Sequence, residues 1–191
     1  MKIGEEKIIE VAYRLFKENG VRLTRLPQVA RACRTSLYDI SLAFASKKDL
    51  VLAVIKHTFE KKTAYLLINS SLSPSAVTEL NNFFKFIEEC MADLGVDIFS
   101  EITRYHPWAL DQLKELVDQK LTPYLQRNIE RGLREGFYRE NLDSEEYAST
   151  YFFFLRRILE SGRDWSEIER TIMHINNIYR HGVLNVRGMR V

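Results

Sequence analysis

Three observations in the amino-acid sequence make this an all-α chain. Apolar residues recur at i, i+3 and i+4 along nearly the whole length, the pattern of helices with one buried stripe. Period-two alternation of β-branched residues is almost absent. Only eight glycines and four prolines punctuate 191 residues, too few for the turn-rich connections of a β protein. With 46% apolar residues, the chain can bury a substantial core.

The first helix is expected from Glu5 to Asn19, with Ile8, Ala12 and Leu15 joined by Ile9 and Phe16 in its stripe. Acids fill its first turn, and Gly20 stops it where a left-handed backbone costs least. Thr24 or Arg25 opens a second helix whose first turn takes Pro27, and Val29, Ala30 and Ala32 give it a narrow face of small side chains. Arg34-Thr35-Ser36 is a polar break, after which Leu37, Ile40 and Phe44 at i, i+3 and i+7 place one face of a short third helix inward. Two short helices across such a turn make a helix-turn-helix, whose second helix enters the DNA major groove. Ser46 caps a fourth helix, buried through Leu50, Val51, Val54, Ile55 and Phe59 and running to about Ile68.

A loop at residues 69–75 follows. Val77 to Leu94 then forms a helix rich in phenylalanine, and Gly95 and Pro107 bracket a shorter one. From Trp108 the pattern runs to Glu135, with Pro123 kinking it or restarting it behind Thr122. Asn141-Leu142-Asp143 opens a helix centred on Tyr151-Phe152-Phe153-Phe154-Leu155, and Asp164 or Ser166 caps the last one. Residues 185–191 read as a frayed basic tail. Nine or ten helices are expected in all.

Charge divides unevenly. Residues 1–62 hold thirteen Lys/Arg against seven Asp/Glu, or +6, and the other 129 hold fifteen against nineteen, or −4. A basic first third carrying a helix-turn-helix favours a polyanionic partner. Cys33 and Cys90 form no metal spacing, the opening MKIGEEKIIE lacks a signal peptide's apolar core, and no run reaches eighteen apolar residues. A cytoplasmic protein without membrane contact is expected. No G-x-S-x-G, H-E-x-x-H or phosphate-cradling glycine loop is present, so no catalytic residues, metal or cofactor are assigned. Asp93, Asp97 and Glu101, four apart, read as a solvated acidic face.

Ile9-x-x-Ala12-x-x-Leu15-Phe16-x-x-x-Gly20, then Thr24, Val29-Ala30-x-Ala32 and Phe44-x-Ser46-Lys47-x-x-Leu50, resembles without a gap the first four helices of the tetracycline-repressor (TetR) family. The likeness extends loosely through Ile129 to Phe137 and covers nearly the whole chain. It implies a helix-turn-helix DNA-binding domain at 1–48 and a helical ligand-binding and dimerisation domain at 49–191. Double-stranded DNA, a small-molecule effector and a second copy of the chain are the implied partners, and a repressor released by an apolar or aromatic effector is the implied function. The short reading helix departs from the family: Leu37, Tyr38, Asp39 and Ser41 stand where it usually carries a lysine, a glycine, a small hydroxyl residue and a tyrosine. A register placing Ser36-Leu37-Tyr38 on the family's Thr-Leu-Tyr needs a deletion and an insertion, and the ungapped one is preferred. The departure motivates a competing reading, a dimer of this type that has lost sequence-specific DNA binding and serves as a ligand- or protein-binding module.

The DNA-side residues are Thr24, Ser36 and Lys47 on phosphates, Tyr38, Asp39 and Ser41 on base edges, and Arg34 beside them, with Leu37 and Ile40 left to the core. The resemblance puts an effector pocket among Phe83, Phe86, Ile87, Phe99, Ile102, Tyr105, His106, Trp108 and Tyr124. His106, beside Pro107, is read as a capping histidine with its hydrogen bonds satisfied. Tyr151, Phe152, Phe154 and Leu155 with Ile168, Ile172, Ile175 and Tyr179 are expected to form a four-helix dimer interface, because five consecutive large residues project around their whole helix.

Overall fold

The computed structural model describes the backbone of residues 4–190, and their side chains except at 93–100, 102–105 and 110. In chain order the helices are α1 (Glu5–Asn19), α2 (Leu26–Ala32), α3 (Leu37–Ala43), α4 (Lys47–Ser71), α5 (Ala76–Tyr105), α6 (Pro107–Glu135), α7 (Ser144–Leu159) and α8 (Trp165–Val183), followed by a 3₁₀ turn at Gly188–Arg190. Among the described residues there is no sheet, only one isolated antiparallel bridge between Tyr138 and Leu184. No helix among them is long and apolar enough to cross a membrane.

Among the described residues, eight α-helices replace the nine or ten expected, because two breakers do not break. Gly95 lies inside an uninterrupted α5, where it costs only about 1 kcal/mol against alanine in a thirty-residue helix. Pro123 lies inside α6, and Thr122 is not its cap. The roughly 3 kcal/mol such a proline costs is offset by its buried neighbours Leu121, Tyr124 and Leu125.

Two compact units emerge. The first takes Met1–Lys62 and Leu94–Leu116, the second Thr63–Asp93 and Val117–Val191. The expected division after residue 48 does not follow them, since α4, α5 and α6 each contribute to both. In the first unit, Ile8, Ala12 and Phe16 of α1, Val29 and Ala30 of α2, Ile40 of α3, and Leu50, Val51 and Val54 of α4 form one core, and Trp108 packs against it.

The second unit is centred on aromatic rings. Phe83 stacks on Tyr124 at 5.5 Å between centroids and meets Tyr151 edge-on at 5.8 Å, while Tyr151 packs against Tyr179 at 5.1 Å. Several polar groups buried here are paired, which offsets the cost of their burial. Tyr151 donates its hydroxyl to Asn176 Oδ1 (2.8 Å), and Asn176 Nδ2 donates to Glu88 (2.9 Å). Arg131 joins Glu79 (3.0 Å), Glu135 (2.6 Å) and the Ser73 carbonyl (3.0 Å), tying the α4–α5 turn to α6. The expected frayed tail is instead docked: the Asn185 N–H donates to the Phe137 carbonyl (3.0 Å), and its side-chain amide donates to the carbonyls of Gly136 (3.0 Å) and Tyr138 (3.1 Å).

Candidate functional site

α3 is a seven-residue helix with a capping box at its N-terminus. Ser36 accepts from the Asp39 N–H (3.0 Å), and the Asp39 carboxylate accepts from the Ser36 hydroxyl (2.6 Å) and the Thr35 hydroxyl (2.9 Å). Base edges are the expected place for Asp39, whose charge would repel phosphate. The structure gives it a capping role instead, with the carboxylate turned back on Thr35 and Ser36.

Inward, Ile40 fills the core as expected. Leu37, expected beside it, is 47% exposed, so that expectation is corrected. The third member of the i, i+3, i+7 set, Phe44, lies past the end of α3 in extended conformation (φ −135°, ψ 111°), so the helical period does not govern where it points. Leu37, Tyr38 (69% exposed), Ser41 and Leu42 (56% exposed) form the outer face. The Ser41 hydroxyl donates to the Tyr38 carbonyl (2.8 Å), which leaves its lone pairs as acceptors.

The segment that carries this face holds Arg22, Arg25, Arg31, Arg34, Lys47 and Lys48, six cations between residues 22 and 48 against the single acid Asp39. Arg34 is exposed and holds a left-handed backbone (φ 54°) in the turn between α2 and α3. Thr24, expected on phosphate, is 2% exposed, and its hydroxyl lies 2.8 Å from the Gly20 carbonyl and 3.2 Å from that of Leu15, so it closes the turn after α1.

Lys47 is half-buried and donates to the Arg22 carbonyl (3.0 Å). Burial lowers its pKa, the Glu101 carboxylate opposes that shift, and Arg25 adds to it. Glu101, near the end of α5, accepts from the Arg22 N–H (2.9 Å) and lies where a Cβ on Gly20 would come within 2.6 Å of its Oε1. Gly20 also needs its positive φ of 81°. Glu101 is therefore not a free acidic face; it is bonded to the loop that precedes the helix-turn-helix. His106, expected as a satisfied cap, has its Nε2 buried without a partner. Burial and then nearby Lys47 lower its pKa, with Glu101 opposing them. Its ring meets Trp108 edge-on at 5.6 Å, and Lys48 Nζ lies 5.1 Å from the Trp108 ring centroid.

The expected pocket residues divide between the units. Phe83, Phe86, Ile87 and Tyr124 are buried in the second, and His106 and Trp108 belong to the first. The side chains of Phe99, Ile102 and Tyr105 lie outside the described residues. The Tyr124 hydroxyl is buried beside Ser70 and Glu79 without a well-aligned hydrogen bond, and burial raises its pKa far above the usual phenol value. Sequence reasoning has no signal for the Glu79–Arg131–Glu135 cluster, whose members are separated by up to 56 positions.

Tyr151, Phe152, Ile168, Ile172 and Tyr179, expected between subunits, are buried within the single chain, and Leu155 and Ile175 are half-buried. The face α7 and α8 leave open is Phe153 (54% exposed), Phe154 (43%), Met173 and Ile178.

Residues 8–54 match the family described as bacterial regulatory proteins, tetR family. A Bacillus subtilis protein, the uncharacterized HTH-type transcriptional regulator YuxN, is 31% identical over 67 residues, which span 35% of this chain and 23% of that protein. The fold is shared with a transcriptional regulator from Saccharomonospora viridis solved with choline (TM-score 0.69, 19% identity, 95% of this chain and 97% of that one). It is shared also with the regulator FadR from Bacillus subtilis solved with stearoyl-CoA (TM-score 0.69, 15% identity, 94% and 99%).

Proposed function

From the premise that this chain belongs to the tetR family of bacterial regulatory proteins, we propose that it represses transcription as a homodimer whose grip on DNA is released by an apolar or aromatic effector. The observation that carries the reading is the family match over residues 8–54, which falls on a unit whose third helix turns its outer face away from the protein core. Arg34 and Lys47 contact phosphates and set position, and Tyr38 and Ser41 meet base edges. The effector sits among the aromatic residues of the second unit, with the buried Tyr124 hydroxyl, beside Ser70 and Glu79, as its polar handle. Choline and stearoyl-CoA, found with two proteins of the same fold, have large apolar portions or a quaternary ammonium suited to aromatic surroundings. They support an aromatic-lined effector site here without naming its occupant.

The test is a mobility shift with duplexes from the source genome over a salt series. Specific binding whose affinity falls steeply with salt is expected, because bound cations release counterions from phosphates. If no genomic duplex is bound better than random DNA at low salt, the reading fails and a ligand- or protein-binding module takes its place. For the effector, a panel of aromatic and long-chain compounds should raise the melting temperature in proportion to the logarithm of concentration. A Tyr124→Phe variant responding like the parent to every compound would remove Tyr124 from the site.

A further inference from the structure

We infer that α3 reads its DNA site chiefly through thymine methyl groups, with Leu37 and Leu42 as the specificity-determining side chains and Tyr38 between them. The inference rests on the DNA-binding reading above and states what that surface recognises. Leu37, Tyr38, Ser41 and Leu42 fall within about 140° of the helix circumference at 3.6 residues per turn, so one groove can meet all four. Three of the four are large and exposed, and the fourth is a small hydroxyl.

The helix carries no lysine, arginine, asparagine or glutamine, which are the side chains that hydrogen-bond guanine and adenine edges in pairs. Its one acid, Asp39, is occupied by Ser36 and Thr35. What remains in the major groove for exposed leucines is the C5-methyl group of thymine, the apolar feature on a base edge there. Cations that precede and follow the helix in the chain, Arg31 and Arg34 before it and Lys47 and Lys48 after it, supply the complementary charge for phosphates. In this division of labour, affinity comes from the turns around α3 and sequence preference from its apolar face. A site with runs of A·T pairs, thymines towards α3, follows. The Ser41 lone pairs can accept from an adenine or cytosine amino group at its edge.

The experiment uses the full-length protein and two forms of its own selected duplex. A duplex enriched from a randomised pool is synthesised once with thymidine and once with deoxyuridine, which differs only by the absent methyl. Affinity should fall about fourfold for each methyl that a leucine covers, while binding to an unselected duplex stays the same in both forms. Leu37→Ala and Leu42→Ala should each lose roughly tenfold on the thymidine duplex together with the share of the deoxyuridine effect that the replaced leucine carries, and the double variant should become nearly indifferent to the exchange. Both residues are exposed, and unchanged thermal melts will show that the variants fold. Equal affinity for the two forms of the selected duplex overturns the inference and leaves DNA binding intact. Failure to shift any duplex at low salt removes both the inference and the reading beneath it. Retained DNA binding by Leu37→Ala and Leu42→Ala with full methyl sensitivity also overturns it, and would assign the apolar face to a protein partner.

Discussion

At the scale of single residues, Arg34 separates stability from binding. A non-glycine residue in the left-handed region costs on the order of 1 kcal/mol, and Arg34 holds φ 54° on the basic flank of α3. Arg34→Gly should therefore raise resistance to denaturant by up to about 1 kcal/mol while weakening DNA binding and flattening its salt slope by about one charge. Paired urea titrations and mobility shifts read both effects. Gly132 is the opposite case. A Cβ there would overlap the ring of the buried Tyr138, whose hydroxyl lies 2.9 Å from the Ala76 carbonyl and 3.0 Å from Asn128. Gly132→Ala should cost about 1–3 kcal/mol by overpacking, measured in the same titration.

At the scale of elements, the start of α6 introduces a pH dependence. The pKa of His106 is lowered below its ordinary 6.5, so the unfolded chain takes up a proton more readily than the folded one. The stability this group contributes is present above pH 6.5 and is lost as pH falls through the lower, folded value. Glu101 partly opposes the shift, while Lys47 reinforces it. Thermal melts between about pH 7.5 and 5 should show the parent losing stability more steeply than His106→Asn, and parallel curves would refute the assignment. Legibility in the sequence varies element by element for physical reasons. α1 and the Asp143 cap of α7 are plain, because periodicity and capping chemistry are local. Gly95 and Pro123 mislead, since a long helix with a strong buried stripe outweighs one poor residue. Leu37 misleads because its apparent partner Phe44 has already left the helix. Glu101 on the Arg22 N–H joins positions 79 apart, and no local pattern announces such a pair.

At the scale of the whole molecule, the open face of α7 and α8 is where the proposed dimer would form. Phe153, Phe154, Met173 and Ile178 are exposed large apolar side chains on α7 and α8, of a kind that commonly marks an interface when clustered. Burying each large side chain contributes roughly 1.5–3 kcal/mol. Phe153→Glu with Ile178→Glu should convert a dimer to a monomer at micromolar concentration in sedimentation. The same pair of changes should cost DNA affinity, because two reading helices act together only when held about one helical turn, roughly 34–36 Å, apart. A variant that still sediments as a dimer would place the interface elsewhere. Substitution at Tyr151 instead should disturb folding, since its hydroxyl holds the buried Asn176.

The composition of the first unit has a consequence for how such a protein can be rearranged. The first unit is written in two separated stretches of the gene: Trp108 completes a core otherwise drawn from residues 8–55, and Glu101 holds the loop at Arg22. A chimaera that grafts residues 1–48 onto another regulator's body would leave both behind. The graft would carry the proposed base-reading surface of α3 on an incomplete fold. Its success would then depend on whether the recipient supplies an aromatic ring and a carboxylate at the matching places, and transplants that also carry residues 94–116 should melt higher than those that do not.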